Sequence, residues 1–340
     1  MALGTGIQGV FAPVNVAGAL FVKTDTTTPL FNRLGGVAHG SREFIVGSDY
    51  ELAASSATAQ ISEDASVTAP APSYDSPVQV KNVTEIHMKA VRSTYRKISN
   101  IDALTGLNLA GQENNVKNPL ALAIRNRLAE LRNDLENTII NSEYNLATTS
   151  AEVDRTRGLN EAIVTNVIEA AGAELNPDIL MEVARAFAGT PFGLNGVLGV
   201  LNAEQVVQLN KIITDEGHRA SMGDAGSNLL TYLTPFGRMT FLEGGHRFQT
   251  NGTAGFYRLG VCRNVLHPVP GMGSVFYEPL AKTGATEHGQ IYAQWGLDHG
   301  LEWQHAKVTG LATTTGASTA PKVHIVNTED APVYTSAVSA

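Results

Sequence analysis

Two clusters of residues in this 340-residue chain could bind a ligand. Gly4–Gly9 has the spacing of a dinucleotide-binding loop, but that loop works between a strand and a helix N-terminus, and only three residues precede it here. We therefore interpret it as part of an extended arm. Asp215, Glu216, His218 and Asp224 could ligate Ca²⁺ or Mg²⁺, yet their spacing matches no EF-hand, so a solvated loop is the better interpretation.

Two histidines and one thiol complete the candidates for chemistry. His299 and His305 lie on either side of Gly300, too far apart for one helical face, and we assign them no ligand role. Cys262 is the only cysteine, which excludes an internal disulfide and a thiolate zinc cage within one chain. Its apolar neighbours favour a buried structural thiol over a nucleophile. No catalytic residue, metal site or cofactor is predicted.

Composition narrows the class of protein further. The chain carries 32 acidic and 24 basic side chains, and a net charge of −8 argues against a protein that mainly grips phosphate backbones. No segment reaches the run of about 18 apolar residues that crosses a bilayer. The first basic residue is Lys23, so the apolar patches before it lack the charged start of a secretory signal. We expect a globular protein that stays in the cytoplasm where it is made.

The clearest element is a long helix predicted over residues 119–146. Pro119 suits a first helical turn, because its φ is fixed and its missing N–H is not needed there. Asp134 and Glu136 are expected on the solvated face of this helix, beside Arg132. Its apolar stripe, at spacings of three and four, is Leu120, Ile124, Leu128, Leu131, Leu135 and Ile139.

Shorter elements surround this helix. Apolar even positions alternate with polar odd ones between residues 78 and 90, which predicts one long, half-exposed strand. Residues 51–69 are rich in Ala, Ser and Thr and should project as a hairpin or loop, because they have too little apolar mass for a core. Two helices are predicted over 160–171 and 176–188. Another helix is predicted at 202–213. Strands are predicted at 43–52, 197–201, 255–261, 274–280, 289–295 and 301–309, and two more within 229–242, broken at Pro235-Phe236-Gly237, so the fold class is α+β.

Four passages in this order resemble tailed-bacteriophage major capsid proteins of the Hong Kong 97 fold type. They are Lys81-Asn82-Val83-Thr84-Glu85-Ile86, Ala129-Glu130-Leu131-Arg132-Asn133-Asp134-Leu135-Glu136, Arg157-Gly158-Leu159 and Leu280-Ala281-Lys282-Thr283-Gly284. The resemblance implies a Hong Kong 97-like phage capsid fold with an N-terminal arm at 1–42 and an E-loop hairpin at 43–92. It further implies a peripheral domain at 93–175 and 243–310 that holds the spine helix 119–146, an axial domain at 176–242 and a C-terminal extension at 311–340.

The same resemblance implies a function. The chain would be no enzyme but a shell subunit, self-assembling into the hexamers and pentamers of an icosahedral phage head around double-stranded DNA. It would reside in the virion capsid after assembly in the host bacterial cytoplasm, without sequence-specific DNA binding or membrane contact. Portal, scaffolding and decoration proteins are further candidate partners. The alternative is an encapsulin-type nanocompartment shell, which uses the same kind of fold around cargo enzyme.

Charge is segregated between two adjoining segments. Residues 43–80 carry six acidic and no basic side chains, whereas residues 81–132 carry nine basic and four acidic ones. Two interpretations stay open: both are solvated faces, or the acidic hairpin of one subunit lies across the basic spine region of its neighbour. The second makes interface residues of Glu51, Glu63, Asp64, Asp75, Lys81, Lys89, Arg125 and Arg132.

Lysine is missing from the expected hairpin. Some relatives of this fold crosslink their subunits through a loop lysine, but no lysine lies between Lys23 and Lys81. We therefore expect no covalent crosslink at the hairpin tip.

Overall fold

The computed structural model describes residues 27–38, 41–49, 62–68, 77–99, 119–215, 229–242, 244–282 and 284–313. The Gly4–Gly9 motif, much of the expected hairpin, residues 216–224 and the C-terminal extension beyond residue 313 lie outside these ranges. Helices and strands are mixed along the chain, which confirms the α+β class. No helix in the described part of the chain is both long and apolar enough to span a bilayer.

The described elements form helices, strands and two short 3-10 turns. The helices are α1 (Tyr95–Ser99), α2 (Pro119–Asn141), α3 (Leu159–Ala162), α4 (Pro177–Ala188) and α5 (Ala203–Asp215). The strands are β1 (Gly35–Ala38), β2 (Glu43–Asp49), β3 (Val78–Val83), β4 (Glu85–Thr94), β5 (Val167–Glu169), β6 (Val197–Val200), β7 (Leu229–Thr234), β8 (Gly237–Leu242), β9 (Ala254–Arg258), β10 (Arg263–Leu266), β11 (Val275–Pro279), β12 (Thr286–Asp298) and β13 (Ala306–Thr309). The 3-10 turns are Ala65–Val67 and Glu302–Gln304.

The first sheet lies under the spine helix α2. Its strand order is β1-β10-β12-β11, and β4 pairs with β12 in a long antiparallel ladder. The 23 residues of α2 span about 35 Å. Leu131 of α2 packs with Val91 of β4 and with Ile291 and Ala293 of β12. The sheet therefore buries one of its faces against the spine helix.

The second sheet joins strands from both of the expected domains. Its order is β5-β13-β9-β6-β8-β7, and α4 and α5 pack on it through residues such as Phe187 and Leu209. The Asn176 side chain accepts the Ile179 N–H at 2.9 Å, so α4 begins as predicted. The expected boundary between residues 242 and 243 falls within the span of this sheet, and the division into domains stays a prediction.

A third core cluster lies between the two sheets. Trp295 of β12 and Ile139 of α2 pack in the same cluster as Tyr257 of β9. Leu30, from a turn at residues 28–34 that precedes β1, is fully buried in this cluster as well. The C-terminal half of α2 thus holds the entry of the arm against both sheets.

Two predicted helix bounds differ from the structure. The spine helix ends at Asn141 and not at residue 146, because the following residues pair with residues 155–158: the Gly158 N–H donates to the Ser142 carbonyl at 2.8 Å. The predicted helix 160–171 is wrong, since α3 ends at Ala162 and is followed by β5. The β-branched run after Ala162 disfavours helix, and the Glu302 carboxylate accepts the Val164 N–H at 2.9 Å.

The predicted single strand from residue 78 to 90 is wrong in a different way. It is two strands of different sheets, with β3 paired to β2 and β4 paired to β12. The break lies at Thr84, whose N–H donates to the Arg42 carbonyl at 2.9 Å. The alternation of polar and apolar residues therefore continues from β3 into β4, although the two strands pair in different sheets. The sequence pattern gives no sign of this change of partner strand.

Candidate functional site

The thiol that could have been a nucleophile is part of the core. Cys262 is 2% exposed, its Sγ lies 3.5 Å from the Arg258 carbonyl, and burial raises the pKa of the thiol. The prediction of a buried structural cysteine is confirmed, because a thiol held neutral and out of solvent cannot attack a substrate. Among the residues that the structure describes, no three His, Cys, Asp or Glu side chains are grouped to hold a metal ion.

His299 and His305 are both buried, side by side. His305 Nε2 lies 2.7 Å from the His299 carbonyl, and its Nδ1 accepts the Arg258 N–H at 3.1 Å. Within the described part of the chain, neither ring nitrogen of His299 has a hydrogen-bond partner. Burial lowers the pKa of His299 to about 3 and that of His305 to about 4. Both rings are therefore neutral at ordinary pH and pack in the core.

Glu136 anchors the N-terminal arm to the spine helix. The carboxylate accepts the backbone N–H groups of Leu30 and Phe31, each at 2.8 Å, and lies 2.7 Å from His246 Nε2. The expectation of a solvated Glu136 is wrong, because the residue is fully buried. The sequence held one signal for this: residue 136 lies one helical turn before Ile140, another buried residue.

The hydrogen bonds of His246 identify the tautomer of its neutral ring. Nδ1 accepts the Phe248 N–H at 3.3 Å, so the proton of the neutral ring lies on Nε2 and is donated to Glu136. The loop at residues 244–249, the spine helix and the arm are thereby joined through one buried carboxylate.

The root of the hairpin is fastened to the body at two points. Arg42 donates to both carboxylate oxygens of Asp154, and this bond holds the pKa of Asp154 below its usual value. At the other end of β2, the Trp303 indole N–H donates to Asp49 at 3.2 Å. Gly47 packs so closely on Leu301 that a Cβ there would come within 2.6 Å of that side chain. Strand β2, at the root of the hairpin, is therefore fixed to the body.

Two of the passages that carry the capsid resemblance meet in space. The Asn82 amide oxygen accepts the Arg157 N–H at 2.8 Å, and its NH₂ group donates to the Leu297 carbonyl at 2.7 Å. Asn82 is fully buried, so each of these bonds replaces one to water. The residues joined lie 75 positions apart in the chain, which explains why spacing alone could not relate them.

Strand β4 turns polar side chains toward the body and apolar side chains outward, which is the reverse of an ordinary half-buried strand. Its apolar positions Ile86 and Met88 are 62% and 60% exposed. Its polar positions face the body: Glu85 lies 2.6 Å from His87 Nε2 and accepts the Thr156 N–H at 3.2 Å. The same inward face carries Lys89, which pairs with Asp134 of α2.

The outer face of the spine helix carries a basic stripe. Arg125 and Arg132 are exposed at a spacing of two helical turns, and Leu128 lies between them. Leu128 was expected on the buried stripe, but it is 37% exposed. An α-helix has 3.6 residues per turn, so side chains at successive steps of four drift away from the buried face. Neither arginine pairs with an acidic residue of the described ranges, whereas Arg127 is bound by Glu130.

The predicted interface residues thus fall into three groups. Lys81 and Lys89 are engaged within their own subunit, by Glu43 at 4.0 Å and by Asp134. Arg125 and Arg132 face solvent on the spine helix. Glu63 and Asp64 are exposed at a turn, and Glu51 and Asp75 lie outside the described residues. The structure does not bring the acidic and basic groups together within one chain, and their assignment to an interface stays a prediction.

Comparison with known proteins gives one family and a set of similar folds. The model of the SU10 major capsid protein family matches residues 3–312. An encapsulin complex from Synechococcus elongatus PCC 7942 has a TM-score of 0.57 at 12% identity, covering 89% of this chain and 95% of that one. The capsid of a native GTA particle has a TM-score of 0.56 at 13% identity, covering 92% and 100%. The capsid of cyanophage A-1(L) has a TM-score of 0.56 at 11% identity, covering 88% and 96%. No curated protein matches the chain.

Proposed function

The chain belongs to the SU10 major capsid protein family, and we propose that it tiles an icosahedral phage head as hexamers and pentamers around double-stranded DNA. Membership of the family makes it a structural protein of the virion capsid that assembles with copies of itself. The finer proposal concerns how the copies are held. In it, the acidic hairpin of one subunit lies on the basic stripe of its neighbour's spine helix without a covalent bond.

The family match favours a genome container over an encapsulin-type compartment. The fold cannot separate the two, since the encapsulin and the GTA capsid have TM-scores of 0.57 and 0.56. A direct test is the content of purified particles. Nuclease-protected double-stranded DNA supports the phage head, whereas particles that hold a cargo enzyme and no DNA contradict it. An acidic chain should contact that DNA weakly and without base specificity.

The observation that carries the docking proposal is the exposed stripe of Arg125, Leu128 and Arg132. Two cations without an acidic partner in the described residues flank an apolar side chain, and they face outward on a rigid helix. Such a stripe suits a partner that is acidic with small or apolar residues between its charges. The hairpin segment has this composition, because residues 43–80 carry six acidic and no basic side chains.

Only part of the predicted basic region is available for this contact. Lys81 and Lys89 already have acidic partners within their own subunit, Glu43 and Asp134. Arg125 and Arg132 are therefore the better donors for the carboxylates of the hairpin. Each exposed ion pair contributes only about 0 to 1 kcal/mol, so the contact gains strength by repetition around a closed shell.

A charge swap tests the proposal. Glu63→Lys with Asp64→Lys, or Arg125→Glu with Arg132→Glu, should each lower the yield of shells while the thermal unfolding of the free subunit stays the same. The four substitutions together should restore assembly, because attraction returns with reversed sign. Glu174→Lys is the matched control, since Glu174 is an exposed acid away from the hairpin. A combined variant that assembles no better than the pairs would refute the contact.

Portal, scaffolding and decoration proteins are proposed as partners from the family resemblance. Their test is co-purification with particles from infected cells, followed by identification of the bound proteins by mass spectrometry. Particles that contain this chain alone would contradict the proposal.

A further inference from the structure

A buried arginine at the end of β9 has no carboxylate partner within the described part of the chain. Arg258 is 7% exposed, and its guanidinium donates to the Gly193 carbonyl at 2.6 Å and to the Asn195 carbonyl at 2.5 Å. Its Nε–H has no acceptor among the described residues. Burial lowers the pKa of this guanidinium, because no described carboxylate offsets the water that it has lost. Buried charges are ordinarily paired, so Arg258 points to an anion from elsewhere.

An exposed aromatic ring lies directly beside this cation. The Arg258 Cζ atom lies 5.1 Å from the centroid of the Phe192 ring, which stacks on Trp303 with 6.2 Å between ring centroids. Trp303 is held in turn by its indole N–H, which donates to Asp49 at 3.2 Å. Phe192 is nevertheless 49% exposed. The three side chains Arg258, Phe192 and Trp303, which we call the arginine–aromatic site, therefore offer a partner a cation and an apolar ring in fixed positions.

The acids of the neighbouring elements are engaged in other bonds. Asp49 accepts the indole N–H, and the Glu302 carboxylate accepts the Thr165 N–H at 2.9 Å. A second cation lies in the last turn of α4, where Arg185 is exposed and has no acidic partner among the described residues. A segment that complements this surface carries carboxylates next to large apolar side chains.

We propose that the arginine–aromatic site binds Glu329 and Asp330 of the C-terminal extension of the same subunit. A carboxylate supplies the acceptor that Arg258 lacks, in a charge-assisted hydrogen bond that is stronger than a neutral one. Two adjacent acids also match the two cations of this region, Arg258 and Arg185. The only other charged side chain in residues 314–340 is Lys322.

The residues around the acidic pair suit the exposed ring. Val326 precedes the pair and Val333-Tyr334 follows it, so large apolar side chains stand on both sides of the two acids. They can cover Phe192 while a carboxylate meets the cation. Glu51 of the hairpin is the competing acid, but the next residue on its side of an extended chain is Ala53, which is too small to cover the ring.

The path of the chain allows the contact within one subunit. The Leu311 N–H donates to the Gly252 carbonyl at 2.9 Å, so the chain passes the start of β9 just before the extension. Arg258 lies at the other end of β9, about 20 Å away. Residues 314–329 span up to about 55 Å when extended, which is more than enough. A segment tethered so closely has an effective concentration on the order of millimolar, which favours its own subunit over a neighbour.

Photocrosslinking identifies the occupant of the site. A benzophenone amino acid replaces Phe192 in the full-length chain, and shells are formed from a mixture of ¹⁵N-labelled and unlabelled chains. The expected crosslinks join position 192 to residues 323–334 within one isotopic form only. Crosslinks to another segment, such as residues 50–77, crosslinks between the two isotopic forms, or none at all would overturn the proposal. The control position is Val275, 47% exposed on the first sheet, which should not reach residues 323–334.

Thiol labelling measures the contribution of the acidic pair. Because Cys262 is buried, a Val333→Cys chain has one reactive thiol. Its maleimide labelling should quicken at least about tenfold when Glu329→Gln and Asp330→Asn remove the two charges. Lys322→Gln, the matched control, changes a charge outside the acidic pair and should leave the rate the same. Equal labelling with and without the acidic pair would overturn the proposal.

A change in the body of the protein gives the reciprocal test. Arg258→Gln should quicken the labelling of Val333→Cys by the same factor as the loss of the two acids. If Arg258→Gln does not fold, the variants of the extension decide the matter, because they leave the body of the subunit unchanged.

This inference does not depend on the hairpin contact. A failed charge swap at residues 63 and 64 with intact crosslinks from position 192 refutes only the hairpin contact. A successful charge swap without those crosslinks refutes only the contact of the C-terminal extension.

Discussion

The buried carboxylate of Glu136 makes the sharpest prediction about this protein. It is fully buried and accepts three hydrogen bonds, from the Leu30 and Phe31 N–H groups and from His246, at 2.7 to 2.8 Å. Glu136→Ala removes the acceptor and leaves all three donors in the core. Each buried donor left without a partner costs about 1 to 3 kcal/mol, so we expect a loss of about 3 to 6 kcal/mol after some water enters the cavity.

The loss should be visible as a large shift in thermal unfolding of the unassembled subunit. Domains of 150 to 250 residues lose about 2 to 4 °C per kcal/mol, so Tm should fall by at least about 6 °C. The effect should also be local, because the arm is released first. Trypsin should therefore cleave faster after Arg33, which is exposed next to the anchored turn.

Two further variants separate the anchor from a general loss of helix stability. Glu136→Gln keeps one acceptor oxygen and should fall between the wild type and Glu136→Ala. Asn126→Ala changes an exposed position of the same helix and should alter stability by less than about 0.5 kcal/mol. If Glu136→Ala unfolds within about 2 °C of the wild type, or if cleavage after Arg33 does not change, the carboxylate does not hold the arm.

Three other predictions follow from the structure. The unfolded chain binds more protons than the native one below about pH 6.5, because His299 and His305 have native pKa values of about 3 and about 4. Stability should thus fall as pH drops from 6.5 toward 4, by up to about 1.4 kcal/mol per unit for each histidine, and His299→Leu should reduce this slope. Gly158→Ala places a Cβ 2.8 Å from the Ser142 nitrogen and 2.9 Å from the Thr138 carbonyl oxygen. This substitution should lower the free energy of unfolding, measured in urea, by about 1 to 3 kcal/mol. Gly189→Ala is the control, because a Cβ there meets open space. Boiled, reduced shells should run as one band of 36.0 kDa on a denaturing gel, and a ladder of multimers would contradict the lysine-free hairpin prediction.

The architecture could be predicted well where it depends on local pattern. Pro119 and the apolar repeat that follows it identified the spine helix, and the Asn176-Pro177 pair identified the start of α4. The four capsid-like passages pointed to the family that matches residues 3–312. These features are local, since a cap or a helical stripe depends only on residues within one or two turns of each other.

The assembly surfaces depended on the tertiary structure. The alternation in residues 85–94 was visible in the sequence, but period two states only that two faces differ and not which one lies inside. Lys89 faces inward because Asp134 of the spine helix lies there, and Ile86 is therefore left outside. Glu136 was misassigned for the same reason, since its partners Leu30 and His246 lie 106 and 110 residues away.

The sequence by itself determined that this chain is an α+β protein with a long helix, an acidic, lysine-free segment at residues 43–80 and no charged side chain in residues 1–22. Those properties follow from which residues are present and how they are spaced. The tertiary structure decided which charges are satisfied and which surfaces stay open. Among the described residues, Arg125 and Arg132 have no acidic partner whereas Lys81 and Lys89 do, because only folding brings Glu43 and Asp134 next to the two lysines.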